Sequence, residues 1–365
     1  MLGRMKTALI VPFALLMWGC ENEDLKAVKE FANTASSGTQ MFTAISSDFY
    51  GSCLREARHP SLDVISTGRD IADRSQFNNL LLQKNSELVE FSSEQITFAQ
   101  LREQKEQQCQ DFFGDVEMQL NKPNQLIADY FQKLGELADG KVSDYSNNFT
   151  KLEQSLNNLS QSLQTFPTPP EKSLVGFEPK QINGAVSILQ FLVEASNRKF
   201  QREQLIEVIS ETDDSLQQLI AGLSTIAQKD YNSILDLEAQ QLNRYYQDPI
   251  LRELNRLEET KSPEAQRRGN LPLTAVLVDS QWRAEKNELD RRRETANNYV
   301  QFITQIAQDH SDLKNHLLDK STTSTSQEVN QLIGERAEKL KLLVNETTQI
   351  TQQLSGEQDG NSNSR

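Results

Sequence analysis

Apolar residues recur at alternating three- and four-residue steps along most of this chain, the pattern of helices packed by heptad seams. From Glu23 to about Ala57 the seam is Val28, Phe31, Ala35, Phe42, Ile45 and Phe49, with Gly38 as a weak point between them. His59-Pro60 ends this helix, because a residue before proline is pushed out of the helical region. A loop is expected over 60–75. A second helix then spans about Asp70 to Leu120, carried by Leu81, Leu88, Phe91, Ile96, Phe98 and Leu101, with Ser92-Ser93 as an alternative start. Lys122-Pro123 reads as the start of the next helix, since proline suits a first turn. Leu126, Ile127, Tyr130, Phe131, Leu134 and Leu137 continue it through Phe149, Leu152, Leu156 and Leu159 to Leu163. Pro167-Thr-Pro-Pro170 stops it and stiffens a linker over 167–180.

The second half repeats this habit. Ile182, Val186, Leu189 and Val193 open a helix that extends past Phe200 to Ile209, and Thr212 or Asp213 is placed to cap the next. That helix carries Leu216, Leu219, Leu223, Ile226, Tyr231, Ile234 and Leu242, and Asp248-Pro249 is expected to kink or end it. After a loop over 258–270 comes Leu271-Pro-Leu-Thr-Ala-Val-Leu-Val278, the most apolar run beyond the N-terminal region. Ala296, Tyr299, Ile303, Ile306, His310, Leu313 and Leu317 then give the cleanest seam, and Val329, Ile333, Leu340, Leu343, Ile350 and Leu354 the last. Residues 355–365 are small and polar and read as a disordered tail. Rods of 40–50 residues would be roughly 60–75 Å long. The expected fold is therefore all-α, an elongated antiparallel bundle of long helices with coiled-coil-like seams. The proline linker separates helical regions 20–166 and 181–354, which could form two sub-bundles or share one.

Composition narrows the function. The 365 residues carry a formal charge of −14. Nucleic acid is excluded as a partner, because its phosphates need a basic face, and so is broad adhesion to anionic headgroups.

The N-terminus has Arg4 and Lys6, an apolar stretch from Thr7 to Trp18, and Met17-Trp18-Gly19-Cys20. A basic start, a short apolar core and a small residue before the cleavage point describe a secretory signal. The stretch falls short of the roughly 20 residues a spanning helix needs. With cysteine directly after the cleavage point, residues 1–20 resemble a bacterial lipoprotein signal peptide. Met17 and Trp18 stand where that family usually has leucine and a small residue. The resemblance implies loss of residues 1–19, a diacylglyceryl thioether on Cys20 and N-acylation of the new terminus. It thus implies attachment to the envelope membrane, at the periplasmic face of the outer membrane in a diderm, where Glu21 permits export. Removing Arg4 and Lys6 takes the net charge to −16.

Given that compartment, Cys53 and Cys109 form an even pair expected to bridge. Such a closure stabilises a fold by about 4 kcal/mol in the chain-entropy model. The pair would be structural, as no Cys-x-x-Cys is present.

Little other chemistry is legible. Gly135-Glu-Leu-Ala-Asp-Gly-Lys141 has phosphate-loop spacing, but Val142 replaces the metal-holding hydroxyl and two acids sit where phosphates would bind. His59 ends a helix, His310 occupies a seam and His316 lies on another face, so no zinc site is expected. Asp359-Gly-Asn-Ser-Asn363 lacks the terminal glutamate of a calcium loop. Arg291-Arg-Arg293, among Glu288, Asp290 and Glu294, reads as an exposed salt-bridged face. Leu271, Leu273, Val276, Leu277 and Val278 could cap the core, pair as a strand with Leu174-Val-Gly-Phe177, or meet a membrane or partner; capping is the expected role. Trp282 would continue that packing. The expectation is a lipid-anchored envelope scaffold or protein-interaction module with no catalytic activity and no cofactor. The alternatives are a membrane-active bundle shaped like helical pore-forming toxins, with 271–278 inserting, and a ligand-binding or enzymatic lipoprotein with a carboxylate-lined cleft.

Overall fold

The computed structural model describes residues 21–39, 41–59, 98–139, 152–166, 173–195, 202–259, 273–318, 331 and 334–345. The leader with Cys20, the stretch expected to be helical over 70–97, and the tail lie outside them. The described residues are helical almost throughout, with no strand. The helices are α1 (Glu21–Gly38), α2 (Met41–Arg58), α3 (Phe98–Phe113), α4 (Val116–Ala138) and α5 (Leu152–Thr165). They continue with α6 (Pro179–Ala195), α7 (Arg202–Thr225), a π-helical turn (Ile226–Tyr231), α8 (Asn232–Glu259), α9 (Leu273–Leu318) and α10 (334–345).

Four rods organise the bundle. α9 is the longest single helix, 46 residues or about 69 Å. α1 and α2 lie along it in the opposite sense: Gly38 meets Phe302, Phe42 stacks on Tyr299 with centroids 4.7 Å apart, and His59 reaches Glu285. The α7–π–α8 rod also opposes α9, with Asp213 at His310, Glu238 at Arg292 and Tyr246 at Glu285. α3 and α4 form the fourth rod, parallel to α9, joined through Gly114-Asp115. α5 packs on α4, and α6 packs chiefly on α7, where Gly184 meets Ser215 and Gln218. One apolar core runs through all of them, so helices from both sides of the proline linker share a single bundle.

The structure moves several boundaries. The seam expected to be one helix over 23–57 is interrupted at Thr39. Gly38 lets Phe302 approach so closely that a Cβ would overlap its ring. The Thr39 carbonyl accepts the Phe42 amide at 3.1 Å and the Asn124 side chain at 2.8 Å. Pro123 does not start a helix; it lies buried inside α4, which begins at Val116 after Gly114. One lost backbone bond is outweighed by the packing of Leu120, Leu126 and Ile127, each fully buried. α4 stops at Ala138, where the Asp139 amide bonds Gly135 and Glu136 carbonyls, instead of continuing to Leu163. Thr212 and Asp213 are not caps. They sit in mid-α7, where Thr212 bonds the Val208 carbonyl and Tyr130 while Asp213 pairs with His310. α8 likewise passes through Pro249 to Glu259.

The apolar run over 271–278 is corrected most. From Leu273 it is the first turns of α9, not a strand, and Leu174–Phe177 belong to an irregular segment over 173–178. Nor do Val276 and Leu277 cap the core, being 56% and 58% exposed. Val278 is partly buried, and Leu271 lies outside the described residues.

Candidate functional site

Three polar or mixed clusters stand out, and their positions along the rods separate scaffold from surface. The first lies at mid-bundle. Arg292 of α9 grips Glu238 of α8 with two parallel bonds of 2.8 Å. Arg55 of α2 binds the same carboxylate at 3.0 Å and also pairs with Asp48. Asp48 accepts from the Tyr231 hydroxyl at 2.6 Å and from Arg292 at 3.3 Å. Arg292 and Glu238 are 5% exposed, too little for solvent to screen them. Burial by itself would raise the Glu238 carboxyl, but the two guanidiniums outweigh it and hold the group below its usual range. For Arg292, burial opposes the charge and Glu238 more than offsets it. Asp48 and Glu238 match Arg55 and Arg292, with Glu288 also 3.8 Å from Arg292 at the edge, so the cluster joins three rods through paired charges. Arg292 is thus the buried member of the triplet expected to be exposed; its neighbour Arg293 does pair at the surface with Asp236 and Asp290.

The second cluster joins α4, α7 and α9. His310, fully buried, has Nδ1 2.8 Å from Asp213 and Nε2 2.6 Å from the Tyr130 hydroxyl, which lies 2.7 Å from Thr212. Ser311 and Lys314 also donate to Asp213. Burial pushes the His310 imidazole down, a shift that Asp213 only partly offsets. Asp213 is raised by burial, yet the bonds from His310, Ser311 and Lys314 bring it well below the ordinary range. The order Tyr–His–Asp resembles an acid–base relay, but Tyr130 and His310 are both fully buried and bonded within the chain. The arrangement locks three helices together. Among the described residues, no group of three His, Cys, Asp or Glu side chains could hold a metal ion.

A related carboxylate clamps the second half of the 167–180 linker. Asp230, in the π turn, accepts the amides of Val175 at 2.8 Å and Gly176 at 2.9 Å. Gly176 has φ +68°, the left-handed conformation that favours glycine, and Phe177 packs on Gly222, where a side chain would collide. Burial pushes the Asp230 carboxyl up to about 6, with the two amides and Lys229 only partly opposing it. An acid raised in the folded state favours folding when protonated, so this contribution is full below about pH 4 and fades as pH rises through about 6. We expect protection of the Val175 and Gly176 amides against hydrogen exchange, corrected for intrinsic rate, to fall roughly tenfold from pH 5 to 7.5. Asp230→Asn should flatten that slope. Protection that rises with pH would show that the carboxylate's grip on the amides outweighs its burial.

The third cluster is at the end of the bundle where α2 stops. His59 lies 3.0 Å from Glu285, its ring against Tyr245 and Tyr246 with centroids at 4.7 and 5.5 Å. Tyr246 donates to Glu285 at 2.7 Å, and Trp282 donates to Asn243 at 3.0 Å with Lys286 over its ring. Glu285 is pushed up by burial but held below its usual value by His59, Gln281 and Tyr246. Beyond Trp282 of this aromatic collar α9 runs about 14 Å farther, to Leu273. Val276 and Leu277 face solvent on this extension.

The opposite end is set by α1. Phe31 meets Phe131, which meets His310, so the start of α1 lies level with the C-terminal turns of α9. Glu21, the first residue of α1, is covalently next to Cys20. The expected lipidation point and the exposed apolar pair therefore belong to opposite ends of the molecule.

Cys53 of α2 and Cys109 of α3 are joined as a disulfide with Cα atoms 5.6 Å apart, as their pairing in the sequence led us to expect. Nothing in the pattern marks Glu238, Asp48 or Asp230, and Arg292 is placed on an exposed face, although Leu289, Arg292, Ala296 and Tyr299 keep the three–four step that puts an arginine in the seam. No protein-family model, curated protein or solved structure matches this chain.

Proposed function

We propose that the chain is a lipid-anchored scaffold of a bacterial cell envelope that holds a protein-docking tip away from the membrane and performs no chemistry of its own. The observation that carries this reading is the separation of the two ends. Cys20 adjoins the start of α1 at one end, and Val276 and Leu277 are presented at the other. Counted along α9 from Leu318 to Val276, the span is about 63 Å. An exposed apolar pair beside an aromatic and cationic collar has the composition of a contact hot spot, where Trp, Tyr and Arg dominate. The buried clusters supply rigidity: every charged group in them is matched by a partner on another rod, which fixes register and alignment. Among the described residues no helix is long and apolar enough to cross a membrane.

The test uses a photoreactive amino acid at Val276 in cells making the full chain. A defined protein adduct is expected that disappears with Leu277→Asp. It should persist with Met118→Asp, which alters an equally exposed apolar residue (57%) on the side of α4. An adduct indifferent to Leu277→Asp, or none at all, would overturn the docking tip.

A further inference from the structure

We infer that Tyr130, Thr212, Asp213 and His310 form a pH-operated latch between α4, α7 and α9, complete only while both ring nitrogens of His310 carry protons and released at Thr212 when one proton leaves. The latch is independent of the anchor at Cys20. The proton count of the junction requires it. Four contacts run in line: Asp213 Oδ1 to His310 Nδ1 at 2.8 Å, His310 Nε2 to Tyr130 Oη at 2.6 Å, Tyr130 Oη to Thr212 Oγ1 at 2.7 Å, and Thr212 Oγ1 to the Val208 carbonyl at 2.7 Å. All are hydrogen-bond distances, and each contact needs one proton. The Val208 carbonyl can only accept. Asp213 accepts too, because Ser311 and Lys314 donate to it and hold it as a carboxylate. The three groups between must therefore supply a proton to each of the four contacts. Thr212 has one, and Tyr130, whose hydroxyl burial keeps protonated, has another. His310 has to supply two, which only the imidazolium does.

A neutral ring leaves the line one proton short. Its Nδ1–H stays on Asp213, Nε2 takes the Tyr130 proton, and Thr212 has one proton for two oxygens. Whichever it keeps, the other stands 2.7 Å away with no proton between. His310 and Tyr130 are fully buried and Thr212 is 5% exposed, so the unmade bond is costly. Thr212 then turns away, and the joint between α7 and α4 loosens while the His310–Asp213 bond between α9 and α7 remains.

The surroundings set the direction. Burial opposes a charge on the ring, Asp213 of α7 favours it, and Lys314 of α9 opposes it. α4 contributes Tyr130, with Lys133 buried one turn farther on, and α6 brings Phe191 against Tyr130. Asp309 and Asp312, the nearest acids along α9, pair with Arg336. Burial prevails, so the ring sheds its proton below the ordinary value of about 6.5. The latch thus closes in acid and opens as pH rises through the folded value. Net stability runs the other way. It declines as pH drops from about 6.5 to that folded value, because the unfolded chain takes up the proton more readily.

The full-length protein, with isotope-labelled histidine and threonine, would be titrated by NMR from about pH 4.5 to about 8, across the ordinary histidine range. The His310 ring nitrogens, assigned by their absence in His310→Gln, and the Thr212 methyl are followed together. Wild type is expected to show two ring N–H groups at the acid end, with the Thr212 methyl shifting at the same midpoint at which Nε2 loses its proton. In Thr212→Val, Tyr130 can donate to a neutral ring without leaving any contact short, so the His310 midpoint should lie about one pH unit lower. Thr212→Ser keeps the hydroxyl and should titrate like wild type. A ring with a single proton throughout, a Thr212 methyl indifferent to the ring, or equal midpoints in wild type and Thr212→Val would overturn the latch.

Discussion

Glu238→Gln is expected to lower the unfolding free energy by about 3–5 kcal/mol, the cost of leaving a buried charge without its counterpart. The glutamine fills nearly the same volume, so the loss is electrostatic rather than a cavity. In the native protein Arg55 and Arg292 share the Glu238 carboxylate, and Asp48 balances the second cation. With Glu238 neutral, the two guanidiniums keep only Asp48 as a shared counterion, with the partly exposed Glu288 3.8 Å from Arg292. Urea denaturation of the acyl-free protein (residues 21–365) measures the difference through its midpoint. The pH dependence has a definite sign. Glu238 is held below its usual value, so its contribution is present above about pH 4.3 and is lost as pH falls through the lower folded value. The variant should lack that part of the acid transition. A change below about 1 kcal/mol would mean that water reaches the cluster and screens it.

Replacing both Cys53 and Cys109 by serine should cost about 4 kcal/mol in the chain-entropy model, given the 56-residue separation they close. Cys53 and Cys109 are buried at 7% and 2% exposure, so the serines also place hydroxyls among apolar neighbours. A Cys→Ala pair separates the two contributions. Phe49 and Phe113 lie one turn from the bridge on α2 and α3, so its loss should loosen the start of the α3–α4 rod before the α7–α9 core. Hydrogen exchange would show this as lower protection in 98–113 than in 296–313. Uniform loss across both would show that the bridge supports the whole bundle as one unit.

The fold class was legible because the seams are long and regular. Ala296, Tyr299, Ile303, Ile306, His310 and Leu313 are all nearly or fully buried on α9, as their spacing requires. Punctuation was less legible, because it depends on neighbours. Pro123 reads as a helix start and Pro249 as a kink or end, yet helices pass through both. Gly38 read as a weak point within one helix, yet the break falls there because Phe302 occupies the space of the missing side chain. The five-residue step from Ile226 to Tyr231 departs from the three–four rhythm, and the π turn absorbs the extra residue. Polar members of the core were hidden for a different reason. Asp48, Asp213, Asp230 and Glu238 look like solvated face residues until the partner rod is known, since each is buried by a donor at least 54 positions away. The candidate surface was half legible. The run over 271–278 stood out by hydropathy, but burial was the expected outcome and exposure of Val276 and Leu277 depends on how far α9 outruns α2.

The most direct test of the anchored scaffold is the intact mass and membrane partitioning of the full-length chain beside Cys20→Ala, expressed in a diderm bacterium. The account predicts a wild-type polypeptide that starts at Cys20, is heavier than residues 20–365 by its acyl groups and sediments with membranes, while Cys20→Ala carries no acyl mass. An unmodified thiol at Cys20 in a membrane-bound wild type, or a wild type that stays in the soluble fraction, would contradict it.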